Sequence, residues 1–141
     1  MLLLVVLGNF VYAVSEESVI TVKATLIDEE FVVGGVNDKP LIIDFGNIGE
    51  SSNGNLDFMV QYSRVKNNSS KVDMSLNNSE IVLSNENNST LSSNVALNKK
   101  SGIIDNKALI ASIKGDIAKN SITENGIYTG IVHLNVTVIP M

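Results

Sequence analysis

The chain carries one His, His133, and no Cys, so few of its side chains can do nucleophilic or metal chemistry. A Ser or Thr nucleophile needs a base within hydrogen-bond reach. The single imidazole falls on the polar face of an alternating segment with no carboxylate beside it in sequence, and it reads as a surface or cross-strand His. Without Cys there is no disulfide framework, thiolate zinc site, thiol nucleophile or lipid attachment at an N-terminal Cys. Carboxylates gather at Glu16, Glu17, Asp28, Glu29 and Glu30. Paired acids can share acid/base work or hold calcium, but their spacing follows no D-x-D-x-D-G loop, and they read as a solvated rim. Asp44-Phe45-Gly46 matches the magnesium triplet of protein kinases in letters only. No glycine-rich loop, strand Lys or catalytic loop accompanies it, so it reads as a strand end turning at Gly46. N-x-S/T tripeptides begin at Asn67, Asn68, Asn77, Asn87, Asn88 and Asn135, and in a chain with 18 Asn they follow from composition. Aromatic residues make up only 5% of the chain, which leaves Tyr62, Tyr128 and Phe31 open as sugar-stacking surfaces. These counts predict a non-catalytic protein with no metal and no cofactor.

The length, 141 residues, suits one domain. A formal charge of −5, from 10 basic and 15 acidic side chains, argues against a surface that tracks a phosphate backbone, so no nucleic-acid partner is expected. Residues 1–13, MLLLVVLGNFVYA, combine an apolar run, a Gly-Asn break and a small residue at the end, which reads as a secretory signal cleaved after Ala13. The run is too short for a membrane helix, which needs about 20 apolar residues. Basic residues are missing before it, which points to a start upstream of Met1. Removing 13 of the 141 residues leaves 128 and changes no side-chain charge. The expected product is exported through the periplasm, inserts no segment into the membrane and carries no covalent anchor of its own.

The remainder keeps a period of two, which is the signature of half-buried strands. Ile20, Val22, Ala24 and Leu26 share one face of the first alternating segment, with Thr21, Lys23 and Thr25 on the other. Gly34-Gly35 and Asn37-Asp38-Lys39-Pro40 are turn signals that bracket Phe31-Val32-Val33 and Leu41–Phe45. Further strands are predicted around Leu56–Tyr62, Val72–Leu76, Ile81–Leu83, Val95–Leu97, Ala108–Lys114 and Tyr128–Val138. A helix over Asp105–Lys114 is the minority reading. Asn is depleted in strands and favoured in turns, and 12 of the 18 Asn lie between Asn47 and Asn98, so the Asn-rich stretches read as connections. The expected fold is all-β, an antiparallel β-sandwich.

Two segments at opposite ends resemble the same family. Ile20-Thr21-Val22-Lys23-Ala24-Thr25-Leu26-Ile27-Asp28, soon after the signal, is similar to the N-terminal donor strand of alpha-class chaperone–usher fimbrial pilins. Gly126-Ile127-Tyr128-Thr129-Gly130-Ile131-Val132-His133-Leu134 resembles the G-x-Y-x-G-x-V opening of the last strand in those pilins and in spore-coat-U-like secreted domains. Leu41–Ile48 is similar to the D/N-F-G-x-I strand end of the second group, and the cysteine pair of several pilin classes is absent. The resemblance implies an immunoglobulin-like sandwich lacking its last strand, with residues 14–27 as donor strand and 28–141 as the pilin domain. An incomplete sandwich exposes an apolar groove and an unpaired strand edge that a neighbour's strand must fill. Carried over by position, Ile20, Val22, Ala24 and Leu26 are the inserted side chains, and Val132, Leu134, Val136 and Val138 line the acceptor groove. Three large side chains buried at about 1.5–3 kcal/mol each contribute roughly 5–9 kcal/mol before ordering costs. The implied function is a structural subunit of a surface fimbria that supports adhesion. Its implied partners are related pilin subunits, a periplasmic chaperone, an outer-membrane usher and a host receptor or glycan. The competing expectation is a self-contained secreted β-sandwich, a coat component or glycan-binding module, whose first strand pairs within its own chain.

Overall fold

The computed structural model describes residues 17–26, 30–47, 51–64, 69–105, 108–118 and 126–141. The expected signal at 1–13 lies outside the described residues.

Among the described residues, ten strands form one curled, mixed sheet: β1 (Glu17–Leu26), β2 (Phe31–Gly35), β3 (Ile42–Asn47), β4 (Ser51–Tyr62), β5 (Ser69–Leu76), β6 (Glu80–Ser84), β7 (Thr90–Leu97), β8 (Ser101–Asp105), β9 (Leu109–Ala118) and β10 (Tyr128–Pro140). The all-β expectation is met, and the segment that could have been a helix is β9. Its alternation explains why: Ala111, Ile113 and Ile117 face inward and Ile110, Lys114 and Asp116 outward, a pattern that buries one face only in an extended strand.

The path through the sheet runs β2-β4-β9-β7-β6-β10-β1-β3, and β5 pairs β10 on one side and β8 on the other. Most neighbours are antiparallel, but β1 runs parallel to β10. The last strand is the hub. Its first residues touch β6 at Thr129↔Ser84, and its second half, from Leu134 to Pro140, pairs β5. Along its other edge, Tyr128 to Val136 is covered by β1.

The sheet curls until its inner faces meet. Phe45 of β3 lies against a pair of glycines, Gly54 of β4 and Gly115 of β9, which are cross-strand partners. The resulting core contains Ile20, Ile43, Phe58, Leu83, Ile113, Tyr128, Val132 and Leu134, each almost fully buried.

Strand boundaries differ from expectation where inward positions are small or polar. β4 begins at Ser51, and Asn53 and Asn55 stand on its outward face with Gly54 buried between them. β7 begins at Thr90 because Leu91 and Ser93 continue its inward row. β8 is a short edge strand the hydrophobic pattern did not signal. The Asn excess is therefore not confined to connections: Asn53, Asn55, Asn94 and Asn135 occupy the exposed side of strands, where an amide meets water.

Candidate functional site

Between β3 and β10 lies a slot one strand wide, and β1 occupies it. Alternation sets which side chains enter. Ile20 and Val22 are buried, Ala24 and Leu26 are half-buried against the core, and Thr21, Lys23 and Thr25 point outward. The register puts Ile20 beside Gly130, Val22 beside Val132, Ala24 beside Leu134 and Leu26 beside Val136. The residues expected as donor and those expected as groove are thus side by side in one chain. Ile20, the bulkiest fully buried residue of the strand, sits beside the β10 position that has no side chain. Val138, the fourth groove residue, lies beyond the end of β1 and pairs Val72 of β5 instead.

The other side of β1 is held less evenly. β3 pairs it antiparallel from Glu17 to Thr21, with a bulge between Ser18 and Val19, and Val22 adds one backbone bond to Leu41 at 2.9 Å. From Lys23 to Leu26 the ladder is to β10 alone among the described residues. Ser18, near the head of the strand, is fully buried beside Tyr128, and its hydroxyl has no hydrogen-bond partner among the described residues. An unpaired buried hydroxyl costs about 1–3 kcal/mol.

Each residue of the G-x-Y-x-G motif has a definable task where β10 meets β6. Gly126 has φ +149, in the range that favours glycine, and a Cβ there would lie 3.1 Å from Asn85 Nδ2. Asn85 is itself buried, and its Oδ1 accepts the N–H groups of Asn87 at 3.0 Å and Ser89 at 2.9 Å, pinning the turn after β6. Tyr128 is completely buried. A Cβ on Gly130 would lie 3.1 Å from the Val82 carbonyl oxygen and from Ile81 Cγ2, so its absence allows β10 to lie close to β6. The sequence displayed the motif but not Asn85, which looks like one more loop Asn among many.

The residues weighed for chemistry stand apart. His133 is exposed on β10 with Lys23 as its register partner, and its backbone N–H donates to Asn77 Oδ1 at 3.1 Å. No group of three or more His, Asp or Glu side chains converges among the described residues. Glu16, Asp28 and Glu29, and the tripeptides at Asn67 and Asn68, lie outside those residues, while Glu30 is exposed. The strand expected to end at Gly46 runs on to Asn47, with Gly46 opposite Ser18; Asp44 Oδ1 accepts the Gly46 N–H at 2.8 Å, with Gly46 at φ +64, where the β1–β3 register shifts. Of the aromatic residues left open for sugar stacking, Phe31 and Tyr128 are buried, and Tyr62 packs on Phe31 with ring centroids 4.5 Å apart.

No family model matches the chain, and no curated protein matches it.

Proposed function

We propose that this chain is an exported structural subunit of a bacterial surface fibre, a fimbria, that polymerises by exchanging its N-terminal strand. In this reading the curled sheet is an immunoglobulin-like sandwich, and residues 14–27 are the exchangeable strand. The observation that carries the reading is the place of β1. This first strand lies between β3 and β10, paired on both sides. Withdrawing it would open a gap flanked by two strand edges and floored by Val132, Leu134 and Val136, which demands another strand. The strand of a neighbouring subunit carries the same Ile20, Val22, Ala24 and Leu26 pattern. A partner strand running antiparallel to β10 would make the longer ladder antiparallel, the slightly stronger kind, and turn the shorter ladder to β3 parallel. The intrachain pairing then represents a capped monomer, and a periplasmic chaperone and an outer-membrane usher would hold and order subunits before assembly.

The intrachain pairing itself favours a second reading, a self-contained secreted binding module in which β1 is simply one of its strands. One experiment separates the two: residues 28–141 are produced with and without a peptide of residues 14–27. Strand exchange predicts an unstable truncated domain rescued by the peptide, and full-length protein that runs as heat-labile ladders on unboiled gels. A truncated domain that stays monomeric, unfolds cooperatively and ignores the peptide would falsify it.

A further inference from the structure

The β2–β3 connection, β3 and the middle of β4 line an open cavity of about 500 Å³, within the roughly 300–1,000 Å³ range of ligand sites. Its wall is apolar at Val36, Pro40 and Ile42, and its rim is polar at Asn37, Lys39, Asn55, Asp44 and Asp57. We infer that this cavity binds one neutral pyranose residue of a saccharide.

The rim supplies both acceptors and donors, the two kinds of partner that a sugar's hydroxyls take up. One oxygen of each carboxylate is already engaged: Asp44 Oδ1 by the Gly46 N–H at 2.8 Å and Asp57 Oδ1 by Asn55 Nδ2 at 3.0 Å. Each carboxylate is thereby oriented while its second oxygen is left to accept a hydroxyl. Lys39 supplies ammonium donors and Asn37 an amide. The apolar wall offers a surface for the C–H face of the ring. Two carboxylates against one ammonium disfavour an anionic ligand, and the cavity is far larger than the coordination shell of an ion.

The wall is also fixed before any ligand arrives. Asn37 and Asp38 both have φ 60, a left-handed pair that side chains rarely adopt and that Asn and Asp tolerate best. Gly35 packs so closely on the Lys39 carbonyl that any Cβ there would overlap it. The connection is therefore a rigid turn, and binding need not order it. The polar residues all lie outside β1, but Val19 of β1 lines the cavity, so the test is made on the full chain with its own β1 in place.

The test is a nitrogen-15 NMR titration of the full chain with free glucose, galactose, mannose, N-acetylglucosamine and lactose, beside an array of immobilised glycans. At least one sugar should give saturable shifts confined to residues 36–44 and 55–57, with a Kd of about millimolar or tighter. Asn37→Gly removes the amide yet keeps a residue suited to φ 60, and Asp57→Ala removes a carboxylate from an exposed strand position. Each should weaken binding by about tenfold or more without moving the thermal midpoint. Array binding without a free-sugar response supports the inference if Asn37→Gly abolishes it. The inference fails if no sugar or glycan binds, if the shifts map elsewhere, or if both variants bind as the parent does.

Discussion

Ser18 is the residue at which the slot and its occupant agree least. Its hydroxyl is fully buried without a partner among the described residues, at the point where pairing with β3 slips by one residue. Ser18→Ala deletes the unsatisfied oxygen and little volume, so it should raise stability by about 1 kcal/mol, seen as a higher urea midpoint at unchanged slope. An unchanged or lower midpoint would mean the hydroxyl is satisfied in solution. Gly130 shows the opposite case, a residue whose smallness is used. A Cβ there meets Ile81, the Val82 carbonyl and Leu83 at 3.1–3.2 Å, and β6 cannot retreat without giving up its ladder to β7. Gly130→Ala should cost about 1–3 kcal/mol, the usual penalty of overpacking, which chemical denaturation would read directly. The letters of the G-x-Y-x-G motif were visible in the sequence. Their meaning was not, because Ile81 and Val82 of β6 and Asn85 in the turn after it come more than forty residues earlier.

At the scale of elements, alternation made most strands readable, since Ile20/Val22, Leu56/Phe58/Val60 and Val132/Leu134/Val136 each mark an inward row. It failed where the inward residue was Gly or Ser, as at Gly54, Ser93 and Gly115, because a hydrophobic pattern cannot register a position that is buried for its smallness. The Gly54–Gly115 pair has a physical purpose only once β3 is laid over it. A Cβ on Gly115 would lie 2.7 Å from Phe45 Cζ, and one on Gly54 2.6 Å from Ile43 Cγ2. Gly115→Ala is accordingly expected to destabilise by about 1–3 kcal/mol, and Phe45→Leu by a similar amount through lost packing. The double variant should be less destabilised than the sum, because the shorter side chain vacates the space the new methyl needs, and a double-mutant cycle measures that coupling. Additivity within about 0.5 kcal/mol would show that β3 does not rest on this glycine pair in solution.

For the whole molecule, the decisive relation is between the two ends of the chain, and local sequence could not reveal it. Nothing in the alternation of Ser18–Leu26 or Tyr128–Val138 says that the two segments lie side by side, or that they run parallel. The two ladders on β1 are unequal: β10 holds it from Ser18 to Leu26, while β3 pairs it only as far as Thr21. By contrast, β4 is flanked by β9 from Ser51 to Val60 and by β2 from Phe58 to Tyr62, with Phe58 and Val60 at 0% exposure. A strand held at full length on one side only, and carrying a buried hydroxyl without a partner among the described residues, is the element that should open first. Native-state hydrogen exchange tests this, since amides report the free energy of the smallest opening that exposes them. The amides of β1 that bond to β10 should exchange through a sub-global opening, at least about 1 kcal/mol below the global value reported by β4 and β9. The β10 amides that face β1 should follow the same opening, and those that face β5 should not. Exchange of β1 at the global limit would make it an integral strand and favour the self-contained module. A separate opening of β1 with its facing edge of β10 is the motion that strand exchange between subunits requires.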